Sequence, residues 1–155
     1  VWENFELPGI FLVSTITIIL LSVCIHLSLI SYRKAKFGLF RTLLFFSFLL
    51  CLAFLGMQVF GWEKLKQMGF PLSGNIAGSF IYIITASHGV HIIGGLLVTL
   101  VFLVLAIRSR KDPIYELRSI INPKRQLNLE MLVTYWHFVD AVWVYLYIFF
   151  LLNYQ

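Results

Sequence analysis

Glu130 and then Tyr135-Trp136-His137-Phe138-Val139-Asp140-Ala141-Val142-Trp143 stand in an apolar run that continues to Leu152. His137 and Asp140 are three residues apart, and two tryptophans flank them. An ionisable pair at such depth is expensive unless it faces protein or water, so it predicts a buried site with partners. A second group is Ser87-His88-Gly89-Val90-His91-Ile92-Ile93-Gly94-Gly95. On a helix His88 and His91 share a face one turn apart, with Gly95 on nearly the same stripe. Glycines on an intramembrane face allow close backbone approach, which predicts that this face packs on another helix.

Three chemistries suit these residue types. His88, His91, His137 and Asp140 nominally supply the three or four ligands of a metal site. Histidine and carboxylate chains at membrane depth also serve as proton relays. The third reading, and the one expected, is a satisfied hydrogen-bond cluster that locks helices together, with Asp140 accepting from histidine and tryptophan N–H groups. For haem, His88 and His137 are the pair that would have to face each other from two helices. Glu130, Thr134 and His137 fall at i, i+4 and i+7, so they form one polar stripe leading inward, either a water or proton entry or a seam against a neighbouring helix.

The composition sets the medium in which these residues act. The chain is 60% hydrophobic and only 12% charged, which excludes an ordinary soluble domain and predicts a multi-spanning membrane protein of one domain, residues 1–155. A net charge of +5 invites a nucleic-acid reading, but ten of the twelve basic residues fall in two inter-helix segments. That pattern reads as membrane topology, with no nucleic acid as partner. Cys24 and Cys51 both lie in apolar runs and read as small packing residues. Val1 is not a methionine and no positive segment precedes the first apolar run, so the chain is expected to begin inside a longer product.

Four apolar runs would position the site, giving an all-α bundle of four transmembrane helices. A polar entry with Trp2, Glu3, Glu6 and Pro8 precedes Ile10 to Tyr32, which at 1.5 Å per residue gives about 34 Å of helix, enough to span a bilayer core. His26, near the end of this run, reads as a boundary residue. Arg33, Lys34, Lys36 and Arg41 mark a cytoplasmic loop, and Thr42 to Trp62 is the second helix. Gln58 and Glu63 close that helix at the outer side and, with Trp136 and Trp143, are assigned to interfaces. A turn follows, with Gly69, Pro71, Gly74 and Asn75 as a cap for the third helix, which runs from Ala77 or Gly78 to Ile107. The polar stretch from Arg108 to Leu129 carries the breakers Pro113 and Pro123 and faces the same side as the first basic loop. The fourth helix spans Glu130 to about Asn153. Both ends of the chain are then expected on the outer side. Ten residues separate His88 from Gly78 and Asp140 from Glu130, about 15 Å of helix each, so the antiparallel third and fourth helices should bring His88 or His91 within reach of His137 or Asp140.

Leu7-Pro8 with Ser14-Thr15, Gln58 with Glu63, the block from Ser87 to Gly95, and Glu130 with Tyr135 to Trp143 together resemble, in order, subunit III of the haem-copper terminal oxidases. The resemblance covers nearly the whole chain. Family members usually have five or seven helices, and the four runs here look like the last four; the preceding helix, which bears a membrane-embedded carboxylate, has no counterpart. The resemblance implies a non-redox integral subunit of a proton-pumping oxidase, closer to cytochrome c than to quinol oxidases, that reduces oxygen to water as part of its complex. It implies no catalytic centre or cofactor in this chain, with haem and copper in partner subunits, bound phospholipid in grooves between helices, and direct contact with subunit I. It also implies support of assembly and of sustained proton uptake, in a bacterial inner membrane rather than a mitochondrial one. From the residues alone, the competing readings are a small transporter or proton channel using the His/Asp cluster, and a free-standing haem-binding electron carrier.

Overall fold

The computed structural model describes residues 9–67 and 76–153. The polar entry with Trp2, Glu3, Glu6 and Pro8, the turn with Gly69, Pro71, Gly74 and Asn75, and Tyr154 and Gln155 lie outside the described residues. Five helices follow one another, α1 (Gly9–Arg33), α2 (Phe37–Gln67), α3 (Ile76–Ser109), α4 (Pro113–Ile121) and α5 (Pro123–Asn153), with no strand among the described residues. Four of them are long and apolar enough to cross a membrane, over Gly9–Arg33, Phe37–Lys64, Tyr82–Ser109 and Pro123–Leu152. They pack in a ring in which α1 touches α2 and α5, and α3 touches α2 and α5. Large apolar side chains also cover the outside, among them Leu20, Phe46, Phe60, Ile83, Val90 and Val101. Helices apolar on every side are what a lipid solvent selects.

Small hydroxyl residues let α1 approach its neighbours. Ser14, Thr15, Thr17, Ser28 and Ser31 are buried, and each donates to a carbonyl three or four residues back, from Ser14 to Ile10 at 2.8 Å through Ser31 to Leu27 at 2.9 Å. Their polarity is thus satisfied within the helix and their small size is left for packing. The α1–α2 hairpin closes through a 2.9 Å bond from Lys36 N–H to the Ser31 carbonyl and a 3.1 Å bond from Ala35 N–H to the Tyr32 carbonyl. Ala35 holds φ at 57°, the left-handed position this cap demands and glycine usually fills.

The segment from Arg108 to Leu129 departs from the loop expected of it. The two prolines stand at the first turn of helices, where a missing N–H costs nothing. Asp112 caps α4 by accepting from Ile114 N–H at 3.0 Å and Tyr115 N–H at 3.4 Å. The Asn122 side chain accepts from Lys124 N–H at 3.1 Å, so α5 begins seven residues before Glu130. α4 is amphipathic, with Ile114, Leu117 and Ile121 exposed and Ser119 buried. It is tied to the hairpin end by an Arg41–Glu116 ion pair and by Tyr32 Oη donating to the Ser119 carbonyl at 2.8 Å. Arg125 lies over the Tyr115 ring, 5.5 Å from its centroid. The two basic segments therefore share one end of the bundle, called here the basic end.

Candidate functional site

The stripe of Glu130, Thr134 and His137 on α5 meets a matching stripe on α1. Ser22, His26 and Arg33 stand at i, i+4 and i+11, which is one line along a helix of 3.6 residues per turn. At the basic end Arg33 Nη2 donates to Glu130 Oε1 at 2.7 Å, and Gln126 Nε2 donates to the same oxygen at 3.0 Å. Seven residues further in on each helix, about 10 Å, His26 Nδ1 and His137 Nε2 are 3.2 Å apart. The opposite ring nitrogen, His137 Nδ1, lies 2.5 Å from Ser22 Oγ. Arg33, His26 and Thr134 are exposed along this seam and Glu130, His137 and Ser22 are half-buried, so the seam is open on one side.

Asp140 lies at the inner end of the seam and is buried at 4% exposure. Neither carboxylate oxygen meets hydrogen-bond geometry with any group, although the Ser22 hydroxyl and the Cys51 thiol of α2 are both close enough to act on it electrostatically. His88 has gone elsewhere. Its ring stacks on Trp143 at 5.3 Å between centroids and meets Phe54 edge-on at 6.4 Å. Its Nε2 is buried without a partner, as are both side-chain polar atoms of Gln58. His91 is exposed and bonds its own helix, Nδ1 lying 2.8 Å from the Ser87 carbonyl, while Tyr135 Oη donates to the His91 carbonyl at 2.6 Å.

The expected cluster is therefore divided. α3 and α5 do pack together with their histidine-bearing segments at similar levels, but the side of α5 that meets α3 carries Tyr135, Trp136 and Trp143. His137, about 100° around the helix from Trp136, turns toward α1. Neither His88 nor His91 reaches His137, and the haem pair His88 and His137 belongs to two different seams. Asp140 accepts from no tryptophan, because the indoles have threonine partners. Trp136 Nε1 donates to Thr99 at 3.0 Å, Trp143 Nε1 to Thr15 at 3.2 Å and Trp62 Nε1 to Thr85 at 3.2 Å. Each of these threonines donates in turn to a carbonyl of its own helix. Gln58 is buried against its neighbours, and Glu63 is exposed near the end of α2.

His26 is the seam residue that its position near a helix end concealed. The i, i+4, i+11 spacing of Ser22, His26 and Arg33 was the signal that could have found it. Among the described residues no three His, Cys, Asp or Glu side chains converge as metal ligands. Two apolar grooves of about 540 and 490 Å³ run between α3 and α5, separated by Tyr135; one is bordered by Gly94, Gly95 and Met131, the other by His88, Phe138 and Leu146.

The helix order and the two motif-bearing helices can now be set beside known proteins. The family model for cytochrome c oxidase subunit III matches residues 3–154. This chain belongs to the cytochrome c oxidase subunit III family. It is 28% identical over 137 residues to a cytochrome c oxidase subunit 3 of Thermostichus vulcanus, covering 87% of this chain and 61% of the relative. A probable cytochrome c oxidase subunit 3 of Mycobacterium tuberculosis is 32% identical over 115 residues, covering 74% of this chain and 51% of the relative. A cytochrome bo(3) ubiquinol oxidase subunit 3 of Pseudomonas aeruginosa is 32% identical over 143 residues, covering 92% and 63%. The chain thus spans about half to two-thirds of the length of these curated subunit III relatives. Their names include both cytochrome c and ubiquinol oxidases, so the family match does not choose between the two oxidase types.

Proposed function

We propose that this chain is the non-redox subunit III of a proton-pumping haem-copper oxidase that reduces oxygen to water, seated in a bacterial plasma membrane with its basic end on the cytoplasmic side. The observation that carries the reading is the family match over residues 3–154. Haem and copper would reside in partner subunits. In this chain His26 and His137 are bonded to each other and His88 is stacked in an aromatic core, so these rings are not disposed to ligate one metal. Subunit I is the direct partner in this reading, and phospholipid acyl chains suit the two α3–α5 grooves, whose walls are mostly apolar. The lipid-facing exterior offers ample surface for such docking.

Purifying the complex through a tag on this chain tests the proposal. Co-purification with haem and copper absorption and with oxygen consumption is expected, with cytochrome c and quinol tried in turn as donors. A preparation without either signal overturns it. The open polar seam favours one second reading, a proton-conducting membrane protein acting alone. Proton flux from the isolated chain in liposomes would support that reading, and none would dismiss it.

A further inference from the structure

We propose that the α1–α5 seam is a proton relay that connects the buried Asp140 carboxyl with water at the basic end, through His26, His137 and Ser22. The relay belongs to the seam itself and does not depend on a partner complex. Three observations converge on it. The groups are in series, with His26 Nδ1 3.2 Å from His137 Nε2 and His137 Nδ1 2.5 Å from Ser22 Oγ. Ser22 in turn faces Asp140, one turn along α5 from His137. The chain has a polar end and a buried end, since His26 lies on the open side of the seam that leads past Thr134 to the Arg33–Glu130 pair, while both Asp140 oxygens are buried without a hydrogen-bond partner.

An imidazole bonded through both nitrogens can take a proton on one and release a proton from the other, which makes histidine a proton shuttle. A proton from water binds His26 Nε2, and the Nδ1 proton of His26 passes to His137 Nε2. Once the Ser22 hydroxyl turns to the carboxylate beside it, with which it makes no hydrogen bond at rest, its proton moves to Asp140 as the Nδ1 proton of His137 passes to Ser22 Oγ. One proton has then travelled from water to Asp140, no electron has moved, and both rings hold the opposite tautomer until they reset. The groups facing the carboxyl are Ser22 from α1, Cys51 from α2 and His137 one turn away on α5. From α3, His88 addresses Trp143 and Phe54 instead. Intramembrane carboxylates and histidines in such chains are the usual parts of proton pathways.

The chain contains only two aspartates, Asp112 and Asp140. With Asp112→Asn as background and carbon-13 at the aspartate carboxyl, time-resolved infrared spectroscopy of the full chain in lipid nanodiscs reads Asp140 alone, in either protonation state. After a pH or deuterium jump the label should respond quickly. His137→Phe should slow the response about tenfold or more, the scale on which removal of a positioned proton carrier is felt. Ser22→Ala should slow it likewise, and Ser22→Thr, which keeps the hydroxyl, should restore it. Helix content and thermal stability show whether each variant folds, and the serine pair carries the test if His137→Phe does not. Equal rates in wild type, His137→Phe and Ser22→Ala overturn the proposal, as does a wild-type carboxyl that neither titrates nor exchanges. Failure of this chain to assemble with an oxidase would leave these rates untouched, so the two proposals fail separately.

Discussion

Thr99 shows how single residues hold this bundle together without burying unpaired polarity. Its hydroxyl accepts from the Trp136 indole at 3.0 Å and donates to the Gly95 carbonyl at 2.8 Å, and the Thr15–Trp143 and Thr85–Trp62 pairs repeat the pattern at two other seams. Thr99→Val keeps the shape and strands an indole N–H in hydrocarbon. It should cost about 1 kcal/mol, near the measured scale for interhelical hydrogen bonds in membranes, in a steric-trap or detergent unfolding assay. An unchanged midpoint would show that the indole finds another acceptor. These partnerships were not legible in the sequence. Trp136 and Trp143 advertised amphipathic rings, and threonine in an apolar run is too common to single out. The same limit explains His137, whose azimuth depends on which neighbour α5 shows each side to.

Helices were more legible than contacts, because hydropathy and length decide them directly. The spans expected at 10–32, 42–62, 77–107 and 130–153 all appear, each extended at one or both ends in α1, α2, α3 and α5. The unexpected helix is α4, because Pro113 and Pro123 read as breakers in the sequence while in the structure they occupy first-turn positions. Of the three glycines in the α3 motif, Gly95 is the one in close contact with α5, and its geometry yields a paired prediction. A Cβ on Gly95 would stand 2.9 Å from both Trp136 Cζ2 and Tyr135 Cε1, whereas one on Gly89 meets nothing within 4 Å. Both rings are anchored by hydrogen bonds and cannot yield freely. Gly95→Ala should destabilise by about 1–3 kcal/mol through overpacking, with Gly89→Ala close to neutral, as read by thermal unfolding in detergent. The turn between α1 and α2 points the other way. Ala35 at φ 57° bears the cost of a Cβ in the left-handed region, and Ala35→Gly should stabilise by about 0.5–1 kcal/mol once the greater freedom of glycine in the unfolded chain is offset. A lower midpoint in this variant would contradict that account.

At the scale of the molecule, polar ties concentrate at the basic end. Arg33–Glu130 and Arg41–Glu116 join helices there, and Tyr32 reaches Ser119, whereas toward the opposite end the Trp62–Thr85 bond joins α2 and α3. Glu116→Gln should loosen α4 from α2, with a modest loss of about 0.5–1 kcal/mol for a partly exposed pair and faster tryptic cleavage at Arg118 in native membranes. Cleavage at the wild-type rate would mean that Tyr32 and the α4–α5 packing suffice to hold the segment.

Three of the chain's four indoles give this bundle a set of built-in optical reporters. Trp62 marks the seam of α2 with α3, Trp136 that of α3 with α5 and Trp143 that of α1 with α5. Retaining one fluorophore at a time would let emission wavelength follow each seam separately as the bundle opens, and so order the partings of its helices in time.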